Sequence, residues 1–216
     1  MNVSLEQIIN ATWITVYISV FSFILGTLIA FFLGFTLYFT RKDGIYENKK
    51  LYVILDIIIN FIRSLPFVVL LLLLIPVTRL LVGSAIGPNA VIVSLTFFAA
   101  PYIARLVESS LLEIDHGILE VADSLGANTR ELIFYFLLPE AASSLIFNLS
   151  IAFVSIIGAT AVAGTIGGGG LGDLAISFGY NRYDYATLVT AVGIIVILVQ
   201  LVQFLGKYLS NSAKYL

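Results

Sequence analysis

From Trp13 to Phe39 the chain carries no charged side chain. A helix needs about 20 apolar residues to cross a hydrocarbon core about 30 Å thick, so this run is long enough to span a membrane. Inside lipid no water pairs with backbone N–H and C=O groups, which leaves helices and closed barrels as the spanning forms. The strict apolar–polar alternation of barrel strands is absent, so the run reads as helix. Four more apolar stretches follow, at 51–81, 85–106, 141–163 and 186–205, and Asp56, Arg63 and Arg79 interrupt the first of them. Charged residues make up 11% of the chain against roughly 25% in soluble domains, which excludes an ordinary soluble fold. The expected architecture is all-α: a single polytopic membrane domain over 1–216, with five transmembrane helices at 13–39 and the four stretches above. Residues 1–7 lack a basic n-region, so the first span reads as retained rather than cleaved as a signal peptide. With no cysteine, disulfides and thiolate metal sites are excluded.

Basic residues orient the spans. Arg41, Lys42, Lys49, Lys50, Arg105, Arg130, Lys207 and Lys214 fall on one side of a five-span arrangement. Arg79 and Arg182 fall on the other, and Arg63 lies within a span. The Lys- and Arg-rich side is cytoplasmic by the positive-inside rule, which places the N-terminus outside and the C-terminus inside. The segment 107–140 is then cytoplasmic. The net charge is −2, and no nucleic-acid partner is expected.

Within that segment, Glu120 to Pro139 forms a polar island between spans. His116 to Leu125 reads as a short amphipathic helix, with Ile118, Val121, Ala122 and Leu125 at i, i+3, i+4 and i+7. Gly126 reads as its left-handed stop. Asn128 followed by Glu131 is an N-cap and capping-box pair for a second helix. That helix is expected to run through Phe134 and end before Pro139. Two helices would then meet at a glycine corner with an apolar stripe that lipid does not cover. On periodicity alone, the pair either rests on the headgroups or forms a knob inserted into a soluble partner.

Glu120, Ala122, Gly126, Leu138 and Pro139 match the pattern E-A-A-x3-G-x9-I-x-L-P, with Val121 where the pattern has its first Ala and Phe136 where it has Ile. On these residues the chain resembles the integral-membrane permeases of ABC importers. The segments at 60–67, 75–79, 82–87, 100–108 and 167–172 resemble the methionine-import branch, and the likeness runs from about 12 to 206. The resemblance implies a type I importer permease fold working as a homodimer. It implies that Glu120, Val121, Ala122, Gly126, Leu138 and Pro139 form the coupling element seated in a groove of a separate cytoplasmic ATPase. Two such ATPase chains would bind ATP and Mg, and an extracytoplasmic methionine-binding protein or lipoprotein would dock outside. The implied function is passage of methionine across the bacterial cytoplasmic membrane by alternating access. Two alternatives stand beside it: the same fold carrying another amino acid or small polar solute, and a non-transport scaffold that anchors a soluble partner.

Other features carry two readings each. Asp56, Asn60 and Arg63 lie at i, i+4 and i+7 on one helix face. Charges at membrane depth normally face protein or water, so Asp56 and Arg63 are either a pair lining the translocation path or a clamp with Arg63 snorkelling to the interface. Pro66 and Pro76 each free a backbone carbonyl and are candidate kinks. Seven glycines lie between Gly158 and Gly172. They serve close packing or break the fourth span at its outer end, since four consecutive glycines make a poor helix. By the resemblance this region closes the outer gate, which makes Ala159, Val162 and Ala163 gate candidates. Tyr180, Arg182, Tyr183 and Asp184 are expected outside, as an aromatic anchoring belt or as docking residues for the binding protein.

His116 is the lone histidine, and the acidic residues around it lack His or Cys partners, so no metal site is expected. No G-x-x-x-x-G-K-[ST], H-E-x-x-H or G-x-S-x-G occurs. No catalytic residue is therefore assigned and no cofactor is expected in this chain. Hydrolysis of ATP must come from another subunit.

Overall fold

The computed structural model of the protein describes residues 3–214. The first helix, α1, spans Leu5–Thr40 and opens on a capping box in which Ser4 and Gln7 exchange side-chain and backbone hydrogen bonds. Along it Ser22, Gly26, Ala30 and Gly34 are all buried at spacings of four. This small-residue seam lets α1 lie against a later helix, α5 (Pro88–Leu112), at backbone range. A Cβ at Gly26 would come within 2.9 Å of the Ala99 Cβ, and one at Gly34 within 2.8 Å of Val107.

The stretch at 51–81 is not one helix. It forms α2 (Lys49–Ser64), α3 (Phe67–Leu73) and α4 (Ile75–Val82). The axis turns by 107° between α2 and α3. Pro66 causes the turn: it forces Leu65 into extended backbone, at φ −80° and ψ 131°. Pro76 instead sits in the first turn of α4, where its missing N–H costs nothing. The expected kink at Pro76 is therefore a helix start.

The remaining spans outrun their apolar stretches. α5 continues to Leu112 rather than stopping at 106, and α10 runs Tyr185–Ala213. α6 (His116–Ser124) and α7 (Thr129–Glu131) follow α5. The expected end before Pro139 does not occur. A wide π-type turn over Leu132–Leu137 carries α7 directly into α8 (Leu138–Ala163). The reason is local: Pro139 has no N–H for the carbonyl four residues back, and the chain answers by widening, with the Leu138 N–H bonding the Ile133 carbonyl.

The glycine run breaks α8, as expected. Gly167, Gly169 and Gly170 have positive φ, and α9 (Gly170–Leu174) folds back beside the helix end. A Cβ at Gly164 would overlap the Gly172–Asp173 backbone, and one at Gly172 would overlap Ala161. The run thus packs closely and breaks the helix at once.

Among the described residues there is no strand, and four helices are long and apolar enough to cross a membrane; the bent α2–α3 pair, counted as one span, brings the number to five. α5 is the centre of the core. Leu95, Ala99, Ile103, Ala104, Val107 and Leu111 are closed off almost completely between α1 and α8. α10 packs on the far side of α8, where Gly206 leaves room for Ser150.

Candidate functional site

The best-formed candidate is the corner between α5 and α8. Asp115 opens α6 by accepting a 2.7 Å bond from the Gly117 N–H. Gly126 closes it with φ +68°. Its N–H donates to the Asp123 carbonyl at 2.9 Å, and the Ala127 N–H donates to Ala122 at 3.0 Å. These two bonds are a Schellman stop, which satisfies the last carbonyls of α6. Asn128 then caps α7, accepting from Arg130 and Glu131, while Glu131 returns a bond to the Asn128 N–H at 2.8 Å. The Gly126 stop and the Asn128–Glu131 capping box expected from the sequence are both present.

The apolar stripe of α6 is divided in two. Ala122 is buried and Ile118 packs beside it on the core, so this half holds the corner to the membrane helices. Val121 and Leu125 point away, 53% and 73% exposed. Phe134 and Tyr135 are as exposed as these and extend the apolar surface beyond the motif residues. The sequence motif does not include them; an aromatic pair inside a polar island was the available signal. Glu120 is exposed, Leu138 packs on the core and Pro139 is exposed. The loop between α1 and α2 also reaches the corner, with the Tyr46 hydroxyl 2.5 Å from the Thr129 hydroxyl.

A polar ladder fixes the corner to both flanking spans. The Ser144 hydroxyl donates to Glu113 at 2.7 Å and lies 3.1 Å from the Ser110 hydroxyl, and the Asn148 amide donates to Ser110 at 2.9 Å. The end of α5 and the start of α8 are therefore joined on either side of α6.

The other candidates fall out differently. Asp56 does not pair with Arg63, which is exposed. Asp56 pairs instead with Arg105 on α5, and Arg105 also donates to Glu108 at 2.6 Å. Helical spacing had put Asp56 and Arg63 on one face, but a partner 49 residues away lay beyond any local pattern. Among the gate candidates, Ala159 and Ala163 are buried within the chain, and Val162 is exposed. Tyr180 and Tyr183 are exposed, and the Arg182 guanidinium lies over the Phe178 ring at 4.3 Å. Asp184 is not a surface group. It is buried and caps α10, accepting from the Thr187 N–H at 3.2 Å and the Thr187 hydroxyl at 3.0 Å. Among the described residues no group of three or more acidic or histidine side chains is placed to hold a metal ion.

The profile of the binding-protein-dependent transport system inner membrane component matches residues 26–214. The chain belongs to that family. Individual permeases are similar over nearly the whole length. A protein of Vibrio cholerae described as a probable D-methionine transport system permease is 42% identical over 94% of this chain and 91% of the relative. A methionine import system permease of Bacillus subtilis is 39% identical over 97% and 95%. In structure, the permease resembles a chain from inward-facing conformations of a methionine ABC transporter, with a TM-score of 0.94, 38% identity and 97% of each chain covered. An amino acid ABC transporter at 20% identity matches with a TM-score of 0.78, which speaks for the fold alone. The permease is a multi-pass membrane protein of the type I importer fold.

Proposed function

We propose that this permease is the translocation subunit of an ABC importer for methionine. It works as a homodimer with two cytoplasmic ATPase subunits, which bind ATP and Mg, and takes its substrate from an extracytoplasmic binding protein. The observation that carries this reading is the α6 corner: Val121 and Leu125 turned outward on a helix whose other face is locked to the core. Support for methionine comes from the names of relatives about 40% identical over nearly the full length. The distribution of Lys and Arg supports an outside N-terminus and a cytoplasmic corner. ATPase closure and opening would displace α6, and the Ser110–Ser144–Glu113 ladder would hand that displacement to α5 and α8 together. The two states differ in which packed arrangement of spans nucleotide favours.

The test is reconstitution of the permease in vesicles with its ATPase and binding protein. Methionine uptake that requires ATP and is competed by methionine above other amino acids is the expected result. Preferential competition by another amino acid would reassign the substrate. Absence of ATP-driven uptake of any solute in an assembled complex would favour the scaffold reading.

A further inference from the structure

Helix α2 is weakly held. Only Ile59 among its residues is buried, and it leaves the fold through the 107° turn at Leu65 and Pro66. Beyond Ile59 and its apolar neighbours, its ties to the core are polar and converge on one place. Asp56 binds the Arg105 guanidinium, Arg105 binds Glu108 at 2.6 Å, and the Tyr52 hydroxyl donates to Glu108 at 3.4 Å. Glu108 is 5% exposed. Arg105 and Glu108 sit on the last turns of α5, and α5 leads through residues 113–115 into α6. The guanidinium is a planar fork, suited to hold two carboxylates at fixed angles as a lysine would not be.

We propose that Arg105, clasped between Asp56 and Glu108, is the strut that carries displacement of the α6 corner into α2, making Asp56 and Arg105 positioning residues for transport. The proposal rests on the importer reading above. It follows from connectivity: α1 and α8 share broad apolar seams with α5 and move with it through packing, whereas α2 holds to the core through the buried Ile59, the half-buried Tyr52 and Leu55, and this charge clasp. Without the clasp α5 could shift while α2 lags behind. A clasp that served only to satisfy buried charge would affect assembly but not the ratio of solute moved to ATP consumed.

The experiment compares wild type with Asp56→Asn, Asp56→Glu and Tyr52→Phe, as purified permease–ATPase complexes in vesicles with binding protein. Methionine uptake and ATP hydrolysis are measured on the same samples. For Asp56→Asn, uptake per ATP should fall about tenfold while ATP hydrolysis stays within about twofold, the range in which a link between distant sites is modulated. Asp56→Glu should restore the ratio, and Tyr52→Phe should lower it by about twofold. An unchanged ratio in assembled Asp56→Asn would overturn the strut, as would Asp56→Asn complexes that never assemble combined with an unchanged ratio in Tyr52→Phe. Wild-type complexes that hydrolyse ATP without uptake would instead count against the importer reading itself.

Discussion

Gly126 shows how one backbone angle can hold a docking surface. Nothing lies within 4 Å of the place a Cβ would occupy, so a side chain there meets no steric wall. The cost comes from φ +68°, a left-handed conformation that disfavours any Cβ by about 1–2 kcal/mol and a β-branched one by more. Gly126→Ala should therefore weaken the corner and Gly126→Val should dismantle the Schellman stop. Because the corner lies outside the apolar spans, Gly126→Val should leave membrane insertion intact while abolishing ATP-driven uptake and weakening ATPase copurification. Glu120→Ala, on the exposed side of α6, should lower uptake with a smaller effect on assembly. Pull-down of the ATPase and uptake at matched permease levels measure both; normal binding and uptake in Gly126→Val would show that the corner is not the coupling element. Residues of this kind were legible because their signals are local: a glycine after an amphipathic helix, an Asn three residues before a Glu. The partner of Asp56 was not legible, since an ion pair between helices depends on how α2 and α5 meet.

At the level of elements, the apolar runs located the candidate spans but not their shape. Hydropathy averages over a window and is blind to a 107° turn inside it. The residue that makes the turn, Pro66, was visible, yet a proline kinks, starts or ends a helix according to its surroundings. Pro66, Pro76 and Pro139 do three different things here: one forces an extended residue before it, one begins a helix, and one sits past a widened turn. The seam on α1 was equally present in the sequence, as small residues four apart inside an apolar run, and it sets how closely α1 meets α5. That closeness makes Gly34 intolerant of bulk. Gly34→Leu must displace Val107 and the Ala104 carbonyl, both within 2.9 Å of a Cβ there. Overpacking of this sort costs about 1–3 kcal/mol, so the purified complex should unfold several degrees lower, with Gly34→Ala between it and wild type. An unchanged thermal midpoint in Gly34→Leu would mean that α1 and α5 do not share this seam in the assembled protein.

For the whole molecule, what the chain leaves uncovered indicates where a second copy and the two aqueous sides should lie. If the corner is cytoplasmic, Lys50→Cys should react with a membrane-impermeant thiol reagent only from the inside and Asn181→Cys only from the outside; labelling of Lys50→Cys in intact cells would invert the topology. On α8, Phe147, Ile151, Gly158 and Val162 are exposed at intervals of four and seven, a continuous stripe along one face. Its neighbours Ala159 and Ala163 are buried against the chain itself, so of the three gate candidates Val162 alone is free to meet a partner. The hairpin behind it is rigid by construction, because Gly164 and Gly172 bring the two backbones into contact with no space for a side chain. A rigid end of α8 swings with the helix rather than flexing independently, so a shift at the α6 corner should appear at residue 162. Val162→Cys should therefore crosslink between protomers when nucleotide is absent and much less when ATP is trapped. Bands of equal intensity in the two states, on the same complexes that show ATP-driven uptake, would make this end of α8 a fixed packing contact and place the moving gate elsewhere along the stripe.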